Sequence, residues 1–404
     1  MAASLNLHRL FSMDEGYLGA LRVPDQDAEK LRQARESIRS VLRTAFADWS
    51  THVTRTALFE SVIAKSAAPA PTLTPRFRLQ GSFVYFTVND CQQTPPQQID
   101  QDDGVFLPVT VLTVGGTAQP AVVSKAYFDL VEKALAPLCE REGWTLKPKK
   151  TCVRVILNSR LHLDLPLYAV RDDAFERAAQ AHATTHSERI EKVYARQELD
   201  EDVYAGIDDA DVFLAHRTKG WVQSDPRSLE RWFRNVLDVH GDQVRRLVRC
   251  YKGLRDAVWP DCDLSSIALM KAIADAYDRV GPLDQSRDDL ALIKIGQELT
   301  AILRGPIANP VIPDDPACNL DNDWSPEFRA TLIAEIDART QLLHTGVHGT
   351  LNRMVAVQRA REAFGERVPD KPEIIGLVGA AAQVIRSERP QPQPQPVVPR
   401  TKSG

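Results

Sequence analysis

The feature that most constrains this chain is a set of three aspartates in strand-like segments of its first half. Asp100 and Asp102 alternate along one segment, and Asp164 lies in another between Leu163 and Leu165. Residues i and i+2 of a strand point to the same face of a sheet, so Asp100 and Asp102 should present two adjacent carboxylates. An unpaired charge in an apolar strand is costly. Three carboxylates on one face would also repel one another unless a cation lay among them.

Mg²⁺ suits such a site because it binds carboxylate oxygens and completes its octahedron with phosphates. Two ions about 3.5–4 Å apart can hold the attacking and leaving oxygens of an in-line phosphoryl displacement. A DxD motif alone is more often a solvated turn, and Asp103-Gly104 could itself form one. The upstream Gln80-Gly81-Ser82 segment adds specificity, because glycine lets the backbone approach a phosphate that the serine hydroxyl can bind. This order of motifs is similar to that of nucleotidyltransferases with a polymerase-β-like fold.

Composition argues against several classes of protein. The 404 residues include 50 Lys and Arg against 54 Asp and Glu, for a formal charge of −4. Proteins that bind long nucleic acids usually carry a basic face, so we expect no such partner. The sequence shows neither a signal-peptide core nor an apolar run of about 18 residues, so we expect a cytoplasmic protein without a membrane partner. The six cysteines are scattered without a CxxC pair, which argues against a zinc site and indicates free thiols.

Hydrophobic periodicity predicts an α+β lobe followed by an all-helical lobe. In the first lobe it predicts helices over 27–65 and 123–143 and strands over 78–89, 104–115 and 150–170. In the second lobe almost no strand signal remains, and the predicted helices span 226–239, 242–258, 266–280, 287–303, 325–364 and 372–387. The similarity to polymerase-β-like nucleotidyltransferases further implies that the first lobe has that fold, with a mixed sheet and helices, and that it packs on the helical lobe with the active site in the cleft.

Local signals mark the parts of the second half. Ser224-Asp225-Pro226 is typical of a helix start, with a capping side chain and proline in the first turn, and Ser265 can cap another helix. The proline-rich end of the chain cannot bury apolar area. We therefore predict three parts: a nucleotidyltransferase core with a long N-terminal helix over 1–215, a helical lobe over 216–387, and a disordered tail over 388–404 that ends in Gly404.

Several motifs in both halves resemble those of the cGAS/DncV-like nucleotidyltransferases, the bacterial cyclic GMP-AMP synthases of CBASS antiphage operons. The motifs are QGSF with Tyr85, PPQQIDQDDGVFLP, TCVRV, HLDLPLYA, GWVQSDPRSLERWF, RCYKGLRDAVW and SSIALM. The resemblance covers roughly residues 5–315. One departure is Gln101, which replaces an apolar residue within the DxD and should point away from the metals. The PPQQ loop, which lengthens the interval from Ser82 to Asp100, is shared with the closer relatives.

The resemblance implies that Asp100, Asp102 and Asp164 are the catalytic residues and hold two Mg²⁺ ions. It implies that Asp164 also helps to activate the attacking 3′-hydroxyl. Nucleotide contacts are implied at nine further residues: Gln80, Gly81, Ser82, Tyr85, Arg154, Ser224, Lys252, Ser266 and Asp315. The loop around the last of these aligns poorly, so Asp314 is an alternative to Asp315.

Each supporting residue also has a structural interpretation. Arg154 could form a surface ion pair, and Lys252 could lie on an exposed helix face. Ser224 could serve as a helix cap, and Tyr85 could belong to the core. These alternatives stay open at the level of sequence.

The resemblance further implies a cyclic dinucleotide synthase that makes 3′,3′-cyclic GMP-AMP from ATP and GTP by two Mg²⁺-dependent transfers in antiviral defence. It implies a downstream effector activated by the cyclic nucleotide and a ubiquitin-like E1–E2 ligase that acts on Gly404. Alternatives are a cyclase with another di- or trinucleotide product, an oligoadenylate synthase or RNA-tailing enzyme, and a non-catalytic nucleotide sensor. The net charge disfavours tailing, and the three retained aspartates disfavour a sensor.

Overall fold

The computed structural model describes residues 4–47, 74–108, 120–170, 208 and 211–378. In the first half the elements are β1 (Ser4–Asn6), α1 (His8–Ser12), α2 (Tyr17–Ala20), α3 (Asp25–Ala47), β2 (Arg76–Gln80), β3 (Ile99–Pro108), α4 (Pro120–Glu142), β4 (Thr145–Pro148), β5 (Cys152–Ile156), β6 (Leu161–Val170), β7 (Val212–His216) and β8 (Gly220–Gln223). In the second half they are α5 (Pro226–His240), α6 (Gln243–Val258), α7 (Ser266–Val280), α8 (Asp288–Ile302), α9 (Pro326–His348), α10 (Arg353–Phe364) and β9 (Gly376–Val378). The predicted α+β class is confirmed.

A seven-stranded mixed sheet organises the first lobe. Its order is β2-β3-β6-β5-β4, with β7 pairing to β6 and β8 to β7. Strands β3 and β6 are parallel, whereas β2, β5 and β7 pair antiparallel to their neighbours. Nine of the ten β6 residues are buried, as expected for a strand covered on both faces. The sheet therefore holds β3 and β6, which carry the three aspartates, side by side at its centre.

The hydrophobic core forms two clusters. One lies between the sheet and helices α3 and α4, and the other lies among the helices of the second half. The N-terminal segment joins the helical cluster through Leu5, Leu10 and Phe11, and β1 pairs with β9. The division of the chain at residue 215 stays a prediction. None of the described helices combines the length and apolar character needed to cross a membrane.

Several predicted elements differ from the structure. The strand predicted over 78–89 ends at Gln80, because Gly81 takes a positive φ of 68° and begins a short 3₁₀ helix. The helix predicted over 325–364 is divided between α9 and α10, and the Asn352 side chain caps the second of them. Residues 372–378 form a 3₁₀ turn and strand β9 instead of a helix. The pattern also missed strands β4, β7 and β8.

Other predictions agree over the range that the structure describes. Helices α4 to α8 fall where the periodicity places them, and β5 and β6 account for the strands predicted over 150–170. Residues 48–65, 109–115 and 379–387 of predicted elements, and the tail with Gly404, lie outside the described residues.

Candidate active site

The central strands bring the three aspartates together on one face of the sheet. The register of β3 and β6 places Asp102 opposite Asp164 and Asp100 opposite His162. Asp103, between these positions on β3, points to the other face and binds Arg39 of α3 with both oxygens. The alternative of a turn at Asp103-Gly104 is therefore excluded, because both residues lie within β3.

The electrostatics of Asp102 indicate a place for a cation. Burial raises the pKa of the Asp102 carboxyl well above its ordinary value, and the charges of Asp100 and Asp164 raise it further. Keeping all three groups ionised therefore requires compensating positive charge. Carboxylate oxygens are the ligands that Mg²⁺ prefers, so this cluster fits the metal that the sequence predicts.

Arg154 supplies part of that positive charge from the neighbouring strand β5. Its Nε and Nη2 atoms donate to Asp164 Oδ1 and Oδ2 at 2.7 and 2.6 Å, and its Nη2 lies 3.9 Å from Asp100 Oδ2. The register of β5 and β6 sets Arg154 directly opposite Asp164. Arg154 is therefore part of the acidic cluster, where it orients a predicted catalytic carboxylate.

His162 belongs to the same cluster, and sequence reasoning missed it. The side chain is 5% exposed, and its Nε2 lies 3.0 Å from Asp100 Oδ1. One possible metal-ligating atom from each of Asp100, His162 and Asp164 lies within 4.8 Å of the other two. The sequence could have indicated it, because His162 precedes Asp164 by two residues, and residues at that spacing in a strand share one face of the sheet.

The segment after β2 passes close to the aspartates. A Cβ added to Gly81 would lie 2.3 Å from Asp102 Oδ2, so only glycine allows this approach. Gly81 and Ser82 line a cavity beside the cluster. The Gln80 side chain is buried within the lobe, where its Oε1 accepts a hydrogen bond from the Tyr168 hydroxyl at 3.2 Å. Gly81 and Ser82 thus lie where a phosphate cradle is predicted, whereas the Gln80 side chain supports the sheet.

A substitution at Gly81 should therefore impair the site itself. We expect G81A to lower activity by about 10²-fold, because a shift of about 1 Å in a catalytic group has effects of that size. The matched control is G143A, since Gly143 has nearly the same φ of 69° but no atom within 4 Å of an added Cβ. Both variants should lose about 1–2 kcal/mol of stability from the left-handed backbone. Initial rates and thermal unfolding of both variants check this, and equal activity in the two would contradict it.

The cavity lies between the two lobes and has a volume of about 650 Å³. That volume lies within the range of about 300–1,000 Å³ typical of small-molecule sites. Residues from both lobes line it, and those predicted from sequence are Gly81, Ser82, Tyr85, Asp100, Asp102, Lys252 and Ser266. Asp100 and Asp102 therefore open into a space that also contacts the helical lobe, whereas Asp164 is not among the described residues that line it.

The helical wall of the cavity carries polar groups. Lys252 Nζ donates to the Thr87 carbonyl at 2.8 Å, and burial together with the nearby Arg255 lowers the pKa of Lys252 to about 8. The Ser266 hydroxyl accepts a hydrogen bond from Arg255 at 3.3 Å, while Ser265 caps α7. Lys252 is thus a buried cation rather than part of an exposed helix face.

Tyr85 belongs to the core and also reaches the cavity wall, while its contact with a nucleotide stays a prediction. It is 8% exposed and packs edge-on against Phe233 in the helical core, yet it also lines the cavity. Its ring therefore helps to join the two lobes at the cavity wall.

The structure does not bring every predicted residue to the cavity. Ser224 lies before α5, and the capping side chain there belongs to Asp225. Asp315 is exposed and caps a 3₁₀ turn through Ala317, and neighbouring Asp314 is also exposed. The cavity lining formed by the described residues lacks six of the predicted positions: Gln80, Arg154, Asp164, Ser224, Asp314 and Asp315.

The PPQQ loop contributes a second group that sequence reasoning missed. Gln97 Nε2 donates to the carbonyls of Asp256 and Trp259 at 2.8 and 2.9 Å, at the end of α6. Its Oε1 accepts from the backbone N–H groups of Gln92 and Gln93. Gln97 therefore ties the catalytic lobe to the helical lobe at the edge of the cavity.

Comparisons with known proteins agree with this architecture. The sequence model described as "Cyclic GMP-AMP synthase DncV-like, nucleotidyltransferase domain" matches residues 75–168, and "Cyclic GMP-AMP synthase, C-terminal domain" matches residues 241–376. A cyclic GMP-AMP synthase of Escherichia coli is 30% identical over 342 residues, which cover 82% of this chain and 76% of the relative. One from Vibrio cholerae is 25% identical over all of both chains.

Solved structures support the fold. Vibrio cholerae DncV in complex with the linear intermediate 5′ pppA(3′,5′)pG superposes with a TM-score of 0.73 at 24% identity, covering 94% of this chain and 100% of that one. DncV bound to GTP gives the same values. The first sequence model spans all three aspartates, and the second spans Lys252 and Ser266. The chain therefore belongs to the DncV-like cyclic GMP-AMP synthase family and is a nucleotidyltransferase of the cGAS/DncV type.

Proposed function

We propose that this chain is a cyclic dinucleotide synthase that makes 3′,3′-cyclic GMP-AMP from ATP and GTP. The observation that carries the proposal is the cluster of Asp100, Asp102 and Asp164, in which Asp100 and Asp102 line a cavity that Lys252 lines from the other lobe. The related DncV has been solved with GTP and with a linear pppApG intermediate, which supports a two-step synthesis here.

The chain's own groups would divide the work of phosphoryl transfer, which asks a protein mainly for positioning and charge neutralisation. Two Mg²⁺ ions bound to the three aspartates would offset charge on the attacking and leaving oxygens. Gly81 and Ser82 would bind phosphate oxygens, and Lys252 would meet the triphosphate from the helical side. Asp164, oriented by Arg154, retains lone pairs on both oxygens and would accept the proton of the attacking 3′-hydroxyl.

The test is to incubate the protein with Mg²⁺ and all four nucleoside triphosphates and identify the products by mass spectrometry. We expect cyclic GMP-AMP, with a linear dinucleotide at early times. Digestion with a nuclease specific for 3′–5′ linkages should open both bonds of the ring. Open-chain oligoadenylate or extended RNA as the main product would contradict the proposal, and a different cyclic product would correct only the choice of bases.

Lys252 should make nucleotide binding depend on pH. Its pKa of about 8 means that the ammonium loses its proton as the pH rises from 7 to 9. The dissociation constant for ATP should then rise about tenfold over that interval, because one proton is linked to binding. Isothermal titration without divalent cations measures it. The control is K252R, whose guanidinium keeps its charge over this pH range. Any pH dependence that K252R shows comes from titration of the nucleotide and can be subtracted. The same pH dependence in both proteins would contradict this role.

The remaining implications of the family stay proposals. We infer that the protein acts in CBASS antiviral defence, that its product activates an effector, and that a ubiquitin-like E1–E2 ligase conjugates Gly404. The support is family membership and the proline-rich sequence before Gly404, which lies outside the described residues. Deleting Gly404 should abolish conjugation in the presence of the ligase and leave cyclisation unchanged. Conjugation by the shortened chain would contradict that role.

A further inference from the structure

His162 is a buried polar residue whose ring lies beside the carboxylate of Asp100. It is 4% exposed, and neither ring nitrogen has a hydrogen-bond partner among the residues that the structure describes. Asp100 Oδ1 is likewise buried and without a hydrogen-bond partner in that part of the chain. Buried polar atoms are rarely left unpaired in native proteins, so two such atoms in one place point to a missing common partner.

The distance between these two atoms fits a shared metal ion. His162 Nε2 and Asp100 Oδ1 are 3.0 Å apart, yet they are not aligned as a hydrogen bond. Ligands at adjacent corners of an octahedron with bonds of about 2.1 Å lie about 3.0 Å apart. Asp164 supplies a third ligand, because one of its oxygens lies within 4.8 Å of the ligand atoms of Asp100 and His162. Its bonds to Arg154 leave each oxygen a further lone pair.

We propose that His162 contributes an imidazole nitrogen to one of the two metal positions and makes that position select a first-row transition cation, such as Mn²⁺, over Mg²⁺. Mg²⁺ prefers oxygen ligands, whereas an imidazole nitrogen increases affinity for transition cations. The inference rests on the metal-dependent function proposed above. It adds a nitrogen donor to a site that the three aspartates alone would make all-oxygen.

The first experiment measures the ligand directly, without nucleotide or turnover. The full chain is loaded with MnCl₂ and studied by pulsed electron paramagnetic resonance, with histidine at natural abundance and labelled with ¹⁵N. The bound Mn²⁺ should show coupling to one imidazole nitrogen that changes with the label. The coupling should disappear in H162Q and persist in H344Q, since His344 lies exposed on α9. Bound Mn²⁺ without nitrogen coupling in the parent protein would overturn the proposal, even if H162Q fails to fold.

The second experiment measures selectivity. Dissociation constants for Mn²⁺, and for Mg²⁺ by competition, are determined for the parent and H162Q, in which an amide oxygen replaces the nitrogen donor. We expect Mn²⁺ binding to weaken at least tenfold and Mg²⁺ binding by less than threefold, so that the preference for Mn²⁺ falls. Equal weakening of both cations would mean that His162 only positions Asp100, and it would overturn the proposal.

The two hypotheses fail separately. Synthesis of a cyclic dinucleotide by a protein whose bound Mn²⁺ shows no nitrogen coupling would refute the His162 ligand and leave the proposed function intact. Nitrogen coupling in a protein that makes no cyclic product would do the reverse. Failure of the parent protein to bind Mn²⁺ would overturn the His162 ligand, and the product assay would still decide the proposed function.

Discussion

The D102N variant should lose nucleotidyl transfer by about 10³-fold or more while keeping its fold. Asp102 faces Asp164 across the two central strands and lines the cavity, so it is placed to share a metal with its neighbours. Metal neutralisation of developing charge is worth several kcal/mol, and each 1.36 kcal/mol is about tenfold in rate. Initial rates of product formation with ATP, GTP and Mg²⁺ measure the loss. Residual synthesis within tenfold of the parent would remove Asp102 from the proposed metal site.

The same substitution should not destabilise the metal-free protein. Burial and the charges of Asp100 and Asp164 raise the pKa of Asp102 in the folded state, so the carboxylate opposes folding. That opposition develops as the pH rises through the ordinary aspartate range and is complete above the folded-state pKa. In a chelating buffer, D102N should therefore unfold at a temperature equal to or above that of the parent, with a larger difference at pH 8 than at pH 5. A lower unfolding temperature at pH 8 would contradict this interpretation.

Local patterns predicted the parts of the site that depend on strand alternation and helix starts. The spacing of Asp100 and Asp102 placed both carboxylates on one face, and the same alternation turns Asp103 away from them. Ser265 caps α7 as the sequence indicates. These predictions were correct because each depends on residues that are close together in the sequence.

Contacts between residues that are far apart in the sequence could not be predicted from local sequence patterns. Nothing near Gln97 in sequence shows that its amide binds carbonyls at the end of α6, more than 150 residues away. Leu5 and Phe11 likewise pack against helices that lie far from them in the sequence. The break between α9 and α10 was missed for another reason, because continuous helical periodicity hid the capping role of Asn352.

Substitution of Asp103 should lower stability and spare activity, which is the opposite of what we expect for Asp102, one residue away. Asp103 is fully buried, and its two oxygens accept hydrogen bonds from Arg39 Nε and Nη2 at 2.7 and 2.5 Å. Arg39 is 4% exposed and its Nη1 also lies 4.0 Å from Glu36 Oε1, so removing the Asp103 charge would take the bidentate carboxylate away from a buried guanidinium. Breaking such a pair costs about 3–5 kcal/mol. We therefore expect D103N to lower the free energy of unfolding by that amount, while molecules that remain folded keep their activity.

The double variant R39M/D103N distinguishes an ion pair from general packing. Removing both charges should restore part of the stability lost in D103N, because the buried guanidinium that lost its bidentate carboxylate is then gone. Denaturant unfolding of the parent, both single variants and the double variant closes the cycle. Additive losses, or a loss below about 1 kcal/mol in D103N, would show that the pair does not hold α3 to the sheet. If D103N loses stability and D102N loses activity, two adjacent aspartates of β3 have separate roles. Asp103 then stabilises the packing of α3 on the sheet, and Asp102 takes part in the reaction.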